Sequence, residues 1–432
     1  MLTVWGLLII VTFMYFILSK RLSAFVALII IPIIYGAMAG FAPQLGNFML
    51  AGLKSTAPTA VLMMMAVLFF GVLVDTGLFD PIITKILKTV KGDPLKVVVG
   101  SALLAIVASL EGEAAVTAVI TCTAFVPIYR KLNMNIVYLA LVTWMPGCIK
   151  SYLPWAGPSA RTIVALKLDS NDLFFSAIPI MIIGTLCSLG MAYYLGLKER
   201  ARLGILQIDD VEMVKMTASI TDAESPHKRL KFIWVNFALM VFVMGAILEE
   251  VLPTAVCFEV GAALALLINY RGSKEQTDRL FGHAKSVLTV GALVMAAGVF
   301  IGILAGAKMT DAIALSLINI IPTSMGEHFA FIVALASGPL SFGLSADGFY
   351  FGIMPIFAKV GNVYGISNAE MGRAGLTGIP LHLLSPTVGA IWLLLGMCDI
   401  TIGDFHKAAI GWFTALTIVF TVTAIVVGGF PV

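Results

Sequence analysis

Ser109-Leu-Glu-Gly-Glu-Ala-Ala-Val-Thr117 places two carboxylates two residues apart inside an otherwise apolar run. A charge in hydrocarbon costs about 2.5–3.5 kcal/mol even on lenient insertion scales, which makes Glu111 and Glu113 functional candidates. Together with Ser109 and the backbone freed at Gly112, they form a set of hard oxygen ligands suited to Na⁺, H⁺ or a divalent cation. Leu344-Ser-Ala-Asp-Gly-Phe349 is the counterpart further along: Asp347 carries charge, Ser345 adds a hydroxyl, and Gly343 and Gly348 are expected to let the backbone reverse tightly. A solvated surface turn is the plain alternative for both stretches. No resident metal is named by these residues.

Tyr152-Leu-Pro-Trp-Ala-Gly-Pro-Ser-Ala-Arg161 cannot stay helical through two prolines and a glycine. A helix restarting at Gly157 and Pro158 turns its positive N-terminus, with Ser159 and Arg161, toward the break. That combination favours an anion, above all a carboxylate held by two parallel bonds from arginine. Pro380-Leu-His-Leu-Leu-Ser-Pro-Thr387 repeats the device. Ser385 and Thr387 offer hydroxyls, and His382 can carry a proton near neutral pH. In the structural alternative, Arg161 pairs with a helix carboxylate, Pro158 is a kink and His382 is a satisfied core group. Lys150 beside the first break either neutralises a polyanion or snorkels, and Glu259 fits a proton path or a subunit interface.

These stretches need apolar elements to hold them. The chain has 432 residues, 60% hydrophobic and 12% charged, with a mean hydropathy of +1.02. Soluble domains carry about 25% charged residues, so a soluble fold, a disordered chain and a nucleic-acid binder are all excluded. What remains is an all-α polytopic membrane protein, expected in the cell membrane. The first apolar run is followed by Lys20-Arg21 instead of being preceded by basic residues, so it reads as a span and not as a signal peptide. The five cysteines lie in apolar runs without a CxxC pair, and Met63–Met65 lacks His or Cys at ligand spacing; both read as packing.

A span needs roughly 20 apolar residues. Crossings are expected near 2–19, 23–41, 57–77, 135–166, 173–197, 232–249, 253–270, 285–306, 368–398 and 405–429. The runs 97–127 and 328–357 are interrupted at Glu111–Glu113 and at Ser345–Gly348, which predicts re-entrant hairpins. Residues 198–231 read as a cytoplasmic linker dividing a first membrane repeat, 1–197, from a second, 232–432. Val67–Ile82 matches Gly298–Ile313 with Gly71 on Gly302, Leu73 on Leu304 and Asp80 on Asp311; Pro127 and Pro158 fall on Pro355 and Pro386 at nearly the same offset. An odd number of spans in the first half inverts the second. With the N-terminus outside, the inner segments hold most of the 27 lysines and arginines. Inverted repeats whose broken segments meet at the midplane are the architecture of secondary transporters.

The four motifs resemble those of the citrate–metal–proton symporter family of the ion transporter superfamily. Ser109–Thr117 is similar to its Ser-Leu-Asp-Gly-Asp-Gly-X-Thr-Thr hairpin and Leu153–Arg161 to its Pro-Trp-Gly-Gly-Pro-Thr-X-Arg break; Asp347–Pro355 and His382–Pro386 resemble further family segments. Departures are Glu111 and Glu113 for Asp, Ala114 for the second Gly of the hairpin, and Ala156 for the first Gly of the break. The resemblance implies proton-driven citrate uptake, often as a divalent-metal complex, by a scaffold and a moving transport domain paired as a homodimer.

The leading expectation is therefore a secondary symporter for a small carboxylate such as citrate, working by alternating access. Gly157, Pro158, Ser159, Arg161, His382, Ser385 and Thr387 would bind substrate, and Ser109, Glu111, Gly112, Glu113, Ser345 and Asp347 would hold the coupling H⁺ or Na⁺. No cofactor is expected beyond that ion and a metal carried with the substrate, and no partner beyond substrate, bilayer and a second copy. The alternatives are a gluconate- or lactate-type permease, a cation–proton antiporter, or a membrane-embedded enzyme. The enzyme lacks its motifs, since the sequence has no His-Glu-x-x-His, Gly-x-Ser-x-Gly or Walker loop.

Overall fold

The computed structural model describes residues 1–19, 21–78, 80–90, 92–112, 114–205, 227–249, 251–319 and 323–432. Among these, all regular structure is helical. The first half comprises α1 (Leu2–Leu18), α2 (Ala24–Gly36, prolonged by a π-helical turn Ala37–Phe41), α3 (Leu45–Asp75), α4 (Asp80–Val90), α5 (Pro94–Ala108), α6 (Ala114–Lys131), α7 (Ile136–Trp144), α8 (Pro146–Lys150), α9 (Gly157–Leu166) and α10 (Ser170–Leu203). The second comprises α11 (Ile233–Leu248), α12 (Thr254–Asn269), α13 (Ser273–Gly282), α14 (Ala284–Gly306), α15 (Met309–Ile318), α16 (Thr323–Gly326), α17 (Phe329–Gly343), α18 (Met354–Val363), α19 (Asn368–Leu376), α20 (Ile379–Leu383), α21 (Gly389–Cys398) and α22 (Ile402–Val426).

Among the described residues, six helical segments are long and apolar enough to cross a membrane: Ala24–Phe41, Leu45–Asp75, Ser170–Leu203, Leu230–Ile247, Ala284–Gly306 and Ile402–Val426. The chain is a multi-pass membrane protein. Shorter apolar helices fill the remaining expected crossings. The segment 135–166 is α7, α8 and α9 in series, and 368–398 is α19, α20 and α21, each series broken where proline removes a backbone donor. The expected span 57–77 starts much earlier, at Leu45, because the polar stretch before it stays helical: the Ser55 and Thr56 hydroxyls donate back to the Gly52 carbonyl at 2.8 and 3.2 Å. Most of the expected linker 198–231 lies outside the described residues. Its two ends are a continuation of α10 to Leu203 and a docked return, where the Arg229 N–H donates to the Thr76 carbonyl at 3.0 Å and Lys228 pairs with Asp80 at 2.8 Å.

The two halves interdigitate. α3 lies against α14 and α12, α2 lies on α14, and α1 packs on α2 and α15. Around this group sit α5 on α6, α7 and α10; α6 on α21; α22 on α10 and α20; and α17 on α19 and α20. Each group takes elements from both halves. A seam runs where α9, α18 and the π-helical turn Gly348–Ile353 meet α1, α3, α14 and α15.

The hairpin tips differ from each other. In the first, a 3₁₀ turn, Ser109–Glu111, ends at Gly112 with φ 99°, a left-handed conformation that favours glycine. In the second, neither Gly343 nor Gly348 has positive φ, contrary to the expected glycine reversal. There α17 stops at an extended Leu344 (φ −105°, ψ 165°), and the Ser345 hydroxyl accepts from the Gly348 N–H at 3.1 Å.

Candidate functional site

Between α8 and α9 the chain runs non-helically through 151–156 and restarts from an extended Ala156 (φ −80°, ψ 149°) with Pro158 in the first turn of α9. Two serine hydroxyls hold this break. Ser151 donates to the Gly147 carbonyl and Ser159 to the Ser151 carbonyl, each at 2.7 Å. The free N–H groups at the start of α9 make its end electropositive. One turn on, Arg161 reaches across to the second half: its Nε donates to Asp347 Oδ1 at 2.7 Å. A side chain at position 157 would crowd the guanidinium, since a Cβ there would lie 2.6 Å from Arg161 Nη1.

The second break is tied to the end of α17, whose last carbonyls have no intrahelical partner. His382 Nδ1 lies 2.8 Å from the Ser341 carbonyl oxygen, and the Ser385 hydroxyl donates to the Phe342 carbonyl at 2.7 Å. Ser385 and Thr387 bond to each other at 2.8 Å. The first hairpin tip is held from the first break, where Trp155 Nε1 donates to the Leu110 carbonyl at 3.2 Å. The indole in turn stacks on Phe70 of α3 (5.6 Å between centroids) and meets Phe258 of α12 edge-on (5.0 Å).

All four motifs converge on one cavity of about 400 Å³, within the range that takes small molecules. Of the expected residues, Gly112, Gly157, Pro158, Arg161, Ser345, Asp347, His382 and Thr387 line it. Ser109, Ser159 and Ser385 do not: their hydroxyls are spent on backbone carbonyls, that of Ser109 on Ile106 at 2.7 Å. Glu113 lies outside the described residues, as does the side chain of Glu111. Glu259 is exposed on α12, away from the cavity.

Other residues complete the walls, and of these only Lys150 is marked in the sequence as a candidate partner for a polyanion. Lys150 and Ser151 line the cavity, as do Trp155, Met63 and Val67 of α3, and Val290, Leu293 and Val294 of α14. Ser151 is signalled only by its place beside the break and Trp155 by its place within the break motif, while nothing marks the apolar residues of α3 and α14 as cavity walls. One wall is thus smooth and apolar, the other polar. Among the described residues, Arg161, Lys150 and Asp347 are the charged groups that line the cavity, and the described residues hold no cluster of His, Cys, Asp and Glu fit for a resident metal.

A family model described as Citrate transporter matches residues 13–378. Across 429 residues, 99% of each chain, the sequence is 44% identical to a protein of Bacillus subtilis (strain 168) named Citrate transporter. It is also 38% identical over 433 residues to that organism's Mg(2+)/citrate complex secondary transporter, with the whole of both chains aligned. Among solved structures, the YdaH transporter of Alcanivorax borkumensis superposes with a TM-score of 0.59 at 14% identity, covering 98% of this chain and 99% of that one. MtrF of Neisseria gonorrhoeae, described with a class of antimetabolite efflux pumps, superposes with a TM-score of 0.58 at 15% identity, covering 88% and 83%. At such identities the likeness is one of fold.

Proposed function

The chain belongs to the citrate transporter family, and on that premise we propose that it is a secondary transporter carrying citrate, with a coupling cation, across the cell membrane by alternating access. One observation carries this reading: the two proline breaks and the second hairpin tip bring Arg161, Lys150, His382 and Asp347 around a single cavity of about 400 Å³. Arg161 binds a substrate carboxylate, assisted by the N-terminus of α9. Lys150 offsets the charge of a polyanion, and Asp347 with Ser345 serves the cation. A divalent ion carried with citrate fits the same chamber, and a relative named for the Mg(2+)/citrate complex supports that cargo.

The test is uptake of radiolabelled citrate into proteoliposomes, with and without Mg²⁺ or Ca²⁺, under imposed pH and Na⁺ gradients. Accumulation above the external concentration under one of those gradients is expected. Absence of citrate flux under every gradient removes the reading and favours a different carboxylate as cargo.

A further inference from the structure

Arg161 belongs to the first half and Asp347 to the second, and they meet inside the cavity with 19% and 13% of their side chains exposed. The bond uses Nε; among the described residues no other hydrogen bond of Arg161 occurs. The guanidinium that is to receive a substrate carboxylate is therefore already neutralised by a carboxylate of the protein. Two carboxylates sharing one guanidinium at a site so largely shielded from bulk solvent leave an uncompensated charge. Among the described residues, the charged or titratable groups that line the cavity with Asp347 are Arg161 on α9, Lys150 on α8 and His382 on α20, and the hydroxyls of Ser345 and Thr387 line it too.

We propose that loading is an ion-pair exchange: a substrate carboxylate takes Arg161 from Asp347, and in the same event Asp347 takes a cation. This rests on the citrate reading above and deepens it. The charges balance. Before loading, the Arg161 guanidinium faces the Asp347 carboxylate; afterwards it faces one substrate carboxylate, while H⁺, Na⁺ or Mg²⁺ faces Asp347, so the balance is one for one at these two protein groups, and the further carboxylates of citrate fall to Lys150 and to any divalent ion carried with them. A cation arriving alone strands Arg161, and a substrate arriving alone strands Asp347. Each half-loaded state holds a buried unpaired charge, so the two cargoes load together, and symport follows without a dedicated sensor.

The experiment is calorimetric titration of citrate into the purified full-length protein in detergent, within the pH range where citrate is fully ionised, varying pH, Na⁺ and Mg²⁺ one at a time. For the native protein, citrate affinity should rise about tenfold per tenfold increase in one of these cations, which identifies it. Asp347→Asn should bind citrate with an affinity indifferent to that cation and should not accumulate citrate in proteoliposomes. Cation dependence that survives unchanged in Asp347→Asn overturns the exchange. Should the variant fail to elute as a single species, the native protein decides. Uptake of one cation per citrate bound, read from proton uptake out of buffers of different ionisation enthalpy or from counting of ²²Na⁺ or ²⁸Mg²⁺, supports the exchange, and uptake of none overturns it. A native protein that binds no citrate in any condition instead removes the citrate reading.

Discussion

At the scale of single residues, one hydrogen bond fixes what His382 can offer. Its Nδ1 lies 2.8 Å from the Ser341 carbonyl oxygen, which can only accept, so the neutral ring carries its hydrogen on Nδ1 and keeps Nε2 bare. A bare nitrogen accepts. It has nothing to give a carboxylate, but it suits the hydroxyl of citrate. His382→Ala should therefore weaken citrate by about 1 kcal/mol, roughly fivefold in apparent affinity. Tricarballylate, the same acid without the hydroxyl, should change less than about twofold. Competition against radiolabelled citrate reads both; equal losses would assign His382 to packing alone. The serines behave otherwise. Ser159 is buried and donates to the Ser151 carbonyl, so Ser159→Ala should lower stability by about 1–3 kcal/mol through the unsatisfied acceptor, read as a fall in the thermal midpoint in detergent. A loss of citrate affinity instead would return Ser159 to the site. Sequence showed that hydroxyls stand at both breaks, but not which way they turn, because the carbonyls they satisfy lie on segments whose ends are fixed only by tertiary folding.

At the scale of elements, glycines set how closely α3 and α14 approach. A Cβ built on Gly52 would collide with the Gly298 carbonyl, and one on Gly302 with the Phe48 carbonyl, both backbone atoms that cannot turn aside. Helices in lipid associate through such close packing, since hydrocarbon offers no hydrophobic drive between them. Gly302→Ala should cost about 1–3 kcal/mol from overpacking, whereas Gly411→Ala on α22, with nothing within 4 Å of its Cβ, should be neutral. Thermal midpoints of the two variants check this, and equal midpoints would mean that α3 and α14 adjust freely. The breaks at 151–156 and 384–388 were legible because proline and glycine act locally. The start of α3 was not, since Lys54, Ser55 and Pro58 dilute the apolar signal while the serine and threonine hydroxyls keep the helix whole. Nor were α4 and α13, of 11 and 10 residues, which are too short and too polar for a window sized to a membrane span.

At the scale of the whole molecule, the cavity lies on the seam between two groups of helices. Its apolar wall, from α3 and α14, presents no polar anchor, while its polar wall comes from the breaks and the second hairpin tip. A smooth wall lets a loaded polar wall slide past it, so alternating access requires the seam to move and each group to stay whole. Two cysteine pairs separate these demands. Cys122 of α6 and Cys398 of α21 already lie with their Sγ atoms 3.8 Å apart inside one group. Across the seam, a Cβ on Gly352 would lie 3.7 Å from Ile10 Cγ2, which leaves the two Cβ atoms no more than about one bond length beyond that distance and brings a disulfide within reach of a modest adjustment. Oxidation by copper phenanthroline removes two electrons from each thiol pair and joins the sulfurs. In a background lacking the native pair, the Ile10→Cys/Gly352→Cys bridge should reduce citrate uptake below about a tenth of the reduced protein, with recovery in dithiothreitol. The native Cys122–Cys398 bridge should leave uptake within about twofold, because the two helices it joins move as one. If the cross-seam bridge forms by mass and uptake continues, the seam is static, and access to the cavity must come from movement within a group.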